Sequence, residues 1–265
     1  MYSHFQLAKK FLTYYVSASS GKGHGIHSPF VFDFIKNVLN DKKNYTCYRE
    51  IENIRKQLLN DEKIIEVEDF GAGSSTLLSN KRSIKKIASA SLKPKKFSQL
   101  LFRIVQYYKP ETILELGTSL GITTAYLATA NKISKVITLE GSINIAAVAQ
   151  NNFNQLNIEN IHLITGAFDE TLPAVLDKLK HVDLAFVDGN HRKTPTLQYF
   201  RQLLHKATDQ SIFIFDDIHW SAEMEEAWKE IRQHPSVTLT IDLFFIGIIF
   251  FKKDFKAKQD FIIRF

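Results

Sequence analysis

The stretch Ile113-Leu-Glu-Leu-Gly-Thr-Ser-Leu-Gly121 decides the fold that this sequence predicts. Its first four residues predict a buried strand, and residues 123–131 predict the helix that follows. Gly117 permits a tight turn with close approach of a ligand to the backbone, and Gly121 lets the helix begin near the strand. The pattern Glu-x-Gly-x-x-x-Gly differs from the Gly-x-Gly-x-x-Gly of dinucleotide-binding loops. It indicates a ligand loop of another kind.

Beyond this loop, short apolar runs alternate with helix-patterned stretches. Four further strands are predicted, at residues 135–140, 161–165, 182–188 and 212–216. Two more, at 237–241 and 244–251, are separated by only two residues, so they must pair antiparallel. The pattern predicts an α/β fold with a doubly wound, mostly parallel seven-stranded sheet that ends in an antiparallel C-terminal hairpin.

Residues 1–96 do not continue this alternation. Helices are predicted at 5–15, 30–39 and 48–59. We therefore expect two domains, a mainly helical N-terminal extension or lid at 1–96 and a catalytic domain at 97–265. The glycine-rich segment 69–74 is followed by no second strand ending in an acid. It is predicted to be a loop of the extension, with either a structural role or that of an active-site lid.

Composition limits the class of protein. The chain has 265 residues, 45% hydrophobic and 23% charged, which is typical of globular proteins and excludes disorder. Its single cysteine, Cys47, excludes an intramolecular disulfide and a cysteine-rich zinc site. The longest apolar run, 243–251, is far shorter than the roughly 18–20 residues of a membrane span. The first 20 residues contain no uninterrupted apolar run of the kind that a signal peptide has. We expect a soluble, cytoplasmic protein without a membrane partner.

Two carboxylates near the ligand loop indicate what it binds. Glu140 ends the strand after Gly121, where an acidic side chain accepts hydrogen bonds from ribose hydroxyls. Glu115 disfavours phosphates and suits an ammonium group. Together they predict a nucleoside with a cationic amino-acid tail.

Further acids follow the later strands. Asp188 ends the fourth strand, and Asp216 and Asp217 end the fifth. Ligands of open α/β sheets bind at the carboxyl ends of the strands, so these residues are expected along one rim. Carboxylates without cysteine suit Mg²⁺, Mn²⁺ or Ca²⁺. His191 and His219 lie beside them in sequence, and both a catalytic and a packing role are open for each.

These residues resemble the class I S-adenosylmethionine-dependent methyltransferases, specifically the metal-dependent O-methyltransferase branch with its catechol-type and sugar- or macrolide-type members. The Glu115-x-Gly117-x-x-x-Gly121 pattern matches the first family motif, and Glu140 matches the ribose-binding acid. Gly166-Ala167-Phe168 matches the loop that frames the adenine. The resemblance covers about residues 97–265 and implies a Rossmann-like methyltransferase fold.

The resemblance also implies ligands. S-adenosylmethionine would be held by Glu115, Gly117, Thr118, Ser119, Gly121, Glu140, Gly141, Gly166, Ala167, Phe168 and Asp188. Asp188, Asp216 and Asp217 would bind a divalent cation, with Mg²⁺ expected. Catechol-type members have Asn where this chain has Asp217 and a general-base Lys where it has His191. His191 is therefore the expected base and His219 the second candidate. A small hydroxylated acceptor is expected, and the change from Lys to His disfavours a catechol without identifying the acceptor.

Two other functions are considered. An RNA or tRNA methyltransferase would use the basic cluster of the extension, namely Lys81, Arg82, Lys85, Lys86, Lys93, Lys95 and Lys96. A binding module would use the extension for protein association, but the full set of acids along the rim argues against a protein without catalysis. Aromatic residues in 2–15 and 261–265 indicate a homodimer, which is compatible with catalysis.

Overall fold

The computed structural model describes residues 1–67 and 80–265. Contacts divide the chain into two compact units. The first unit is discontinuous and consists of Met1–Asp41 and Leu176–Phe265, and the second unit is Lys42–Val175. The predicted division into 1–96 and 97–265 stays a prediction, and its boundary lies inside a helix.

The described residues form ten α-helices and ten strands. The helices are α1 (His4–Ser17), α2 (Pro29–Phe34), α3 (Thr46–Leu58), α4 (Ile84–Ser91), α5 (Lys95–Tyr108), α6 (Ile122–Ala130), α7 (Ile143–Gln155), α8 (Phe168–Asp177), α9 (Lys193–Leu204) and α10 (Ala222–Gln233). A π-helical turn, Ile35–Leu39, follows α2. The strands are β1 (Ile64–Glu66), β2 (Lys81–Ser83), β3 (Thr112–Leu116), β4 (Lys135–Glu140), β5 (Ile161–Thr165), β6 (Leu184–Val187), β7 (Ile212–Asp216), β8 (Leu239–Asp242), β9 (Ile246–Phe250) and β10 (Gln259–Ile262).

The second unit contains three parallel strands in the order β3-β4-β5. Leu116 pairs with Leu139 and Glu140 with Thr165, so the loops that follow these strands leave from the same edge. β3 and β4 are almost wholly buried, as expected for apolar strands covered on both faces. A separate antiparallel pair, β1 and β2, precedes them.

The first unit contains five strands in the order β10-β8-β9-β7-β6. β6 and β7 are parallel, and β9 runs antiparallel between β7 and β8. This confirms the predicted C-terminal hairpin. Val187 pairs with Phe215, so Asp188 and Asp216 follow at the same ends of their strands.

Without the separate pair β1 and β2, the described residues form eight strands, and the predicted number of seven is therefore wrong by one. β10 pairs parallel with β8 and was not predicted. Its residues alternate between half-buried and exposed, so no apolar run marks it. The chain also lacks, among its described residues, any helix long and apolar enough to cross a membrane.

Hydrogen bonds join residues 14–19 to residues 262–264 within the first unit. The Tyr14 hydroxyl donates to the carbonyl of Ile263, and Ser19 N–H donates to the carbonyl of Ile262 at 2.8 Å. Arg264 Nε donates to the carbonyl of Ala18 at 3.1 Å. The segment after α1 therefore pairs with the end of the chain.

Gly247 supports a test of how β9 packs. A Cβ atom at Gly247 would lie 2.6 Å from Cη2 of Trp228, which packs against β9 from α10. We predict that Gly247→Ala lowers the free energy of unfolding by about 1–3 kcal/mol through overpacking, as measured by denaturant titration. The control combines Gly247→Ala with Trp228→Leu, which removes the ring atoms that the new Cβ would meet. A loss from Gly247→Ala that is just as large in the Trp228→Leu background would refute the packing explanation.

Candidate functional site

The ligand loop after β3, residues 117–121, has the conformation that its glycines predict. Gly117 and Gly121 have φ of 104° and 81°, values that favour glycine. The N–H groups of Gly117 and Thr118 both donate to the carbonyl of Leu139, at 3.0 and 3.1 Å. These bonds turn the chain sharply at the end of β3 and hold the loop beside the end of β4.

Gly121 is also required by packing. A Cβ there would lie 2.6 Å from Cε1 of Phe153 and 3.1 Å from Cβ of Ala149, both on α7. The glycine therefore lets the start of α6 approach α7 closely, as expected for the last glycine of such a loop.

Glu140 lies where the sequence predicts the ribose-binding acid. One of its oxygens accepts the N–H of Ser119 at 2.8 Å and the other accepts the N–H of Ser142 at 3.0 Å. Its backbone carbonyl accepts the N–H of Gly166 at 2.9 Å. Glu140 therefore brings together the loops after β3, β4 and β5, which contain the predicted cofactor residues of this unit.

Those residues include Gly141, which directly follows Glu140, and the Gly166-Ala167-Phe168 stretch after β5. Gly166 has φ of 134°, and Phe168 begins α8. The carbonyl of Ala167 accepts the N–H of Thr171 at 2.9 Å, so the stretch forms the first turn of that helix.

Glu115 is placed differently from the other predicted residues. Its side chain has no exposed surface, and one oxygen accepts the hydroxyls of Thr124 and Thr138 at 2.5 and 2.7 Å. Thr138 also exchanges a hydrogen bond of 2.6 Å with Thr118, in the ligand loop. Glu115 is thus linked to the ligand loop through the hydroxyls of Thr138 and Thr118. Its predicted role in binding an ammonium group stays a prediction.

A second group of predicted residues lies in the first unit. Asp188, His191 and Asp216 each place one ligand atom within 4.8 Å of the others, and we call them the acid–imidazole cluster. Nε2 of His191 lies 3.6 Å from Oδ1 of Asp188. Asp216 is 4% exposed, whereas Asp188 and His191 are half-buried, so the cluster reaches the surface on one side.

The backbone of this cluster is unusual. Asn190 and His191 have φ of 67° and 33°, values that few residues other than glycine adopt. Such conformations cost of order 1–3 kcal/mol each and persist where the surroundings fix them. The Asn190 amide donates to the hydroxyl of Tyr199 at 3.2 Å, which anchors the turn to α9.

Asp217 is not part of the acid–imidazole cluster, although the sequence predicted it as a metal ligand. Its φ is 54°, and its N–H donates to the carbonyl of Phe245 at 2.7 Å. The backbone therefore turns directly after Asp216. His191, the predicted base, is the third member of the cluster beside Asp188 and Asp216, and the role of Asp217 as a metal ligand stays a prediction.

His219 bridges two carboxylates instead of standing beside the cluster as a base. Its Nδ1 lies 3.0 Å from Glu225 Oε1, and its Nε2 lies 2.9 Å from Oδ2 of Asp242, which is 2% exposed. Burial alone lowers the pKa of His219, but the bonds and charges of Asp242 and Glu225 outweigh it and raise that pKa above 6.5. Both ring nitrogens of His219 contact carboxylates, so His219 could take a proton from an acceptor only after one of these contacts is broken, and its role as a base stays a prediction.

No motif or local spacing in the sequence predicts the residues that contact His219. Glu225 accepts the Tyr2 hydroxyl at 2.8 Å and Lys10 Nζ at 2.9 and 3.0 Å. Asp242 accepts Trp228 Nε1 at 3.1 Å and the N–H of Phe244 at 2.8 Å. We call Tyr2, Lys10, His219, Glu225 and Asp242 the Glu225 network. Its members are separated by up to 240 positions in the chain, which local spacing cannot reveal.

The raised pKa of His219 predicts a pH dependence of stability. Its contribution is fully present below about pH 6.5 and is lost as the pH rises through the higher pKa of the folded state. The stability that wild type holds over His219→Gln should therefore be larger near pH 6 than near pH 9, in urea titrations at both values. The exposed His24→Gln is the matched control. A difference that does not change with pH would contradict the prediction.

The predicted loop at 69–74 lies outside the described residues, and its role stays a prediction. The other predicted site residues are described, and they fall into the loops around Glu140 and the acid–imidazole cluster, with Glu115, Asp217 and His219 placed as above.

Comparisons with known proteins agree with this geometry. Residues 114–218 match the family model described as a methyltransferase domain. A catechol O-methyltransferase from Niastella koreensis is 32% identical over 126 residues, 46% of this chain and 55% of the relative. A tRNA (guanine-N(7)-)-methyltransferase from Mycoplasma mobile is 32% identical over 80 residues, 30% of this chain and 40% of the relative. The chain thus spans about half the length of the curated relatives it matches.

Solved structures show the fold. SAH-bound methyltransferase PaMTH1 from Podospora anserina superposes with a TM-score of 0.60 at 14% identity, covering 85% of this chain and 97% of that one. An O-methyltransferase from Bacillus cereus in complex with SAH gives 0.57 at 18% identity, covering 83% and 97%. The predicted Rossmann-like α/β fold is confirmed. Residues 114–218 of this chain are therefore similar to a methyltransferase domain, and they lie within a fold that solved methyltransferases share.

Proposed function

We propose that this protein transfers the methyl group of S-adenosylmethionine to a hydroxyl oxygen of a small acceptor, with the help of a divalent cation. The main observation behind the proposal is that the carboxylate of Glu140 accepts backbone hydrogen bonds from both the loop after β3 and the loop after β4. The matched methyltransferase domain and its catechol O-methyltransferase relative support the class of reaction.

The second unit supplies the cofactor residues. Glu140 would accept the ribose hydroxyls, because a carboxylate is a hydrogen-bond acceptor and this one ends β4, where such an acid meets the ribose in nucleotide-binding α/β folds. The glycines of residues 117–121 let the backbone approach the ligand, and Gly166-Ala167-Phe168 would frame the adenine. S-adenosylmethionine supplies an electrophilic methyl group, and the residues around it have to align that group with the acceptor.

The acid–imidazole cluster, which lies within the first unit, would bind the cation and the acceptor hydroxyl. Ligand atoms around one Mg²⁺ or Mn²⁺ at about 2.1 Å lie at most about 4.2 Å apart. The separations of up to 4.8 Å within the acid–imidazole cluster are longer than this, so its side chains would have to move closer together to hold a cation. Two carboxylates suit Mg²⁺ or Mn²⁺, whereas an imidazole suits Mn²⁺ better than Mg²⁺. Asp188, His191 and Asp216 would hold the cation, and its positive charge would favour deprotonation of the acceptor hydroxyl.

His191 has two alternative duties in this proposal. As a ligand it completes the cluster with Asp188 and Asp216. As a base it would take the acceptor proton, a task that histidine performs more often than any other side chain. Its Nε2 lies 3.6 Å from Oδ1 of Asp188, which would help to orient the imidazole in either role.

No described feature favours the RNA alternative. In the basic cluster of the sequence, Lys85 pairs with Glu62 at 2.7 Å and Lys96 lies over the ring of Phe97. Methylation of a small hydroxylated molecule therefore remains the proposed activity. Cytoplasmic location and a homodimer stay predictions.

The cofactor site predicts the effect of Glu140→Gln. The amide keeps the shape of the side chain but loses the charge and one of the oxygens that accept Ser119 and Ser142. We expect affinity for S-adenosylmethionine to fall about 10- to 100-fold, corresponding to the roughly 1.5–3 kcal/mol of a hydrogen bond to a charged group. Calorimetric titration measures it, with the exposed Glu159→Gln of the same unit as control. Wild-type affinity in Glu140→Gln would remove this residue from the cofactor site.

The metal site predicts the effect of Asp188→Asn. We expect Mn²⁺-dependent methyl transfer to hydroxylated acceptors to be lost, while S-adenosylmethionine still binds with reduced affinity, because Asp188 is also among the expected cofactor residues. A control variant, Asp254→Asn, changes an exposed acid of the same unit. Methyl transfer that continues unchanged in Asp188→Asn and in EDTA would eliminate the cation from the reaction.

A further inference from the structure

We propose that Tyr2 and Lys10, at the N-terminal end of the chain, are positioning residues for the candidate metal site. They hold Glu225, and through His219 they hold residues 217–220, which directly follow Asp216. This inference rests on the proposed metal site and adds a part of the chain that the predicted site does not include.

The first step is the set of hydrogen bonds that the N-terminal segment makes with Glu225. Lys10 Nζ contacts both oxygens of Glu225, at 3.0 and 2.9 Å, and the Tyr2 hydroxyl donates to one of them at 2.8 Å. Lys10 also lies 4.5 Å from the centre of the Tyr2 ring. The N–H of Tyr2 donates to the carbonyl of Trp220 at 3.0 Å, so the same segment contacts the loop directly.

The second step leads from Glu225 to the loop through His219. Because Glu225 and Asp242 engage opposite nitrogens of the imidazole, the ring can neither rotate nor shift without breaking a charged hydrogen bond. The ring also stacks on Phe244, with centroids 5.1 Å apart and planes at 27°. Phe244 in turn contacts Phe11 of α1 at 5.1 Å between centroids, so α1 supports both sides of the imidazole.

The third step leads from the loop to Asp216. The N–H of Asp217 donates to Phe245, and the N–H of Trp220 donates to the carbonyl of Asp217 at 2.9 Å. The loop is thus a closed turn held at both ends, and Asp216 is the last residue of β7 before it. Asp216 pairs with Ile246 of β9 on one side and continues into this turn on the other, so both would set where its carboxylate lies relative to Asp188 and His191.

A purely stabilising role would leave a different signature. An exposed ion pair contributes about 0–1 kcal/mol to stability, and Lys10 and Glu225 are 36% and 28% exposed at their side chains. Geometry at a metal site is less forgiving, since ligands have to be held within about 0.5 Å by their neighbours. Loss of the Lys10 contact should therefore affect metal affinity much more than global stability.

The experiment compares variants of the full chain for Mn²⁺ affinity, by titration with paramagnetic detection, and for amide exchange in residues 217–220, by mass spectrometry. The variants are Tyr2→Phe, Lys10→Met, their combination, and Lys10→Arg. The matched control is Lys9→Met, which removes an exposed lysine from the same helix. Thermal unfolding and S-adenosylmethionine affinity are measured in parallel.

We expect Mn²⁺ affinity to fall about tenfold in the double variant, as for other residues that orient metal ligands. Exchange at 217–220 should become faster, and Lys10→Arg should retain most of the affinity. Lys9→Met should match wild type, and S-adenosylmethionine affinity should be unchanged in all variants.

Three results would overturn the inference. They are Mn²⁺ affinity unchanged in the double variant, exchange at 217–220 unchanged, and an equal loss of affinity in Lys9→Met. Failure of the proposed function has its own signature. Wild-type protein that binds no Mn²⁺ would refute the metal site itself and the positioning role with it, whereas a normal wild-type affinity that no variant changes refutes only the positioning role.

Discussion

The bonds from the Ser119 and Ser142 N–H groups to the carboxylate of Glu140 are the interaction on which the candidate cofactor site depends. Ser142 precedes α7, whose N-terminal end favours a negative charge through the helix dipole. The carboxylate therefore lies where unpaired backbone donors and a partial positive charge coincide. The glycine loop is held through the same residue, so the turn after β3 and the acid after β4 form one structure.

Most of the sheet could be predicted because its strands are apolar on both faces. The bounds predicted for β4, β5 and β7 agree with the structure, since each run begins after a turn and ends at a polar residue. β1, β2 and β10 could not be predicted in this way. They are three or four residues long and partly exposed, so their pairing depends on neighbours that are distant in sequence.

The candidate site could be predicted wherever position along a strand decides it. Asp188 and Asp216 converge because they follow paired residues of parallel strands. Position along the chain did not reveal the left-handed backbone at Asp217, nor the carboxylates that engage His219 from α10 and β8. Glu115 shows the same limit, because its buried carboxylate is bound by threonine hydroxyls of α6 and β4, which the spacing of the sequence does not reveal.

The discontinuity of the first unit affects how the chain is made. Residues 1–41 leave the ribosome first, but the strands and the chain end that they contact are translated more than 130 residues later. At about 5–20 residues per second, this interval lasts on the order of ten seconds. The second unit is complete during that time, whereas residues 1–41 still lack the strands and the chain end that they contact in the folded unit. The first unit can therefore be completed only after its second segment has been translated.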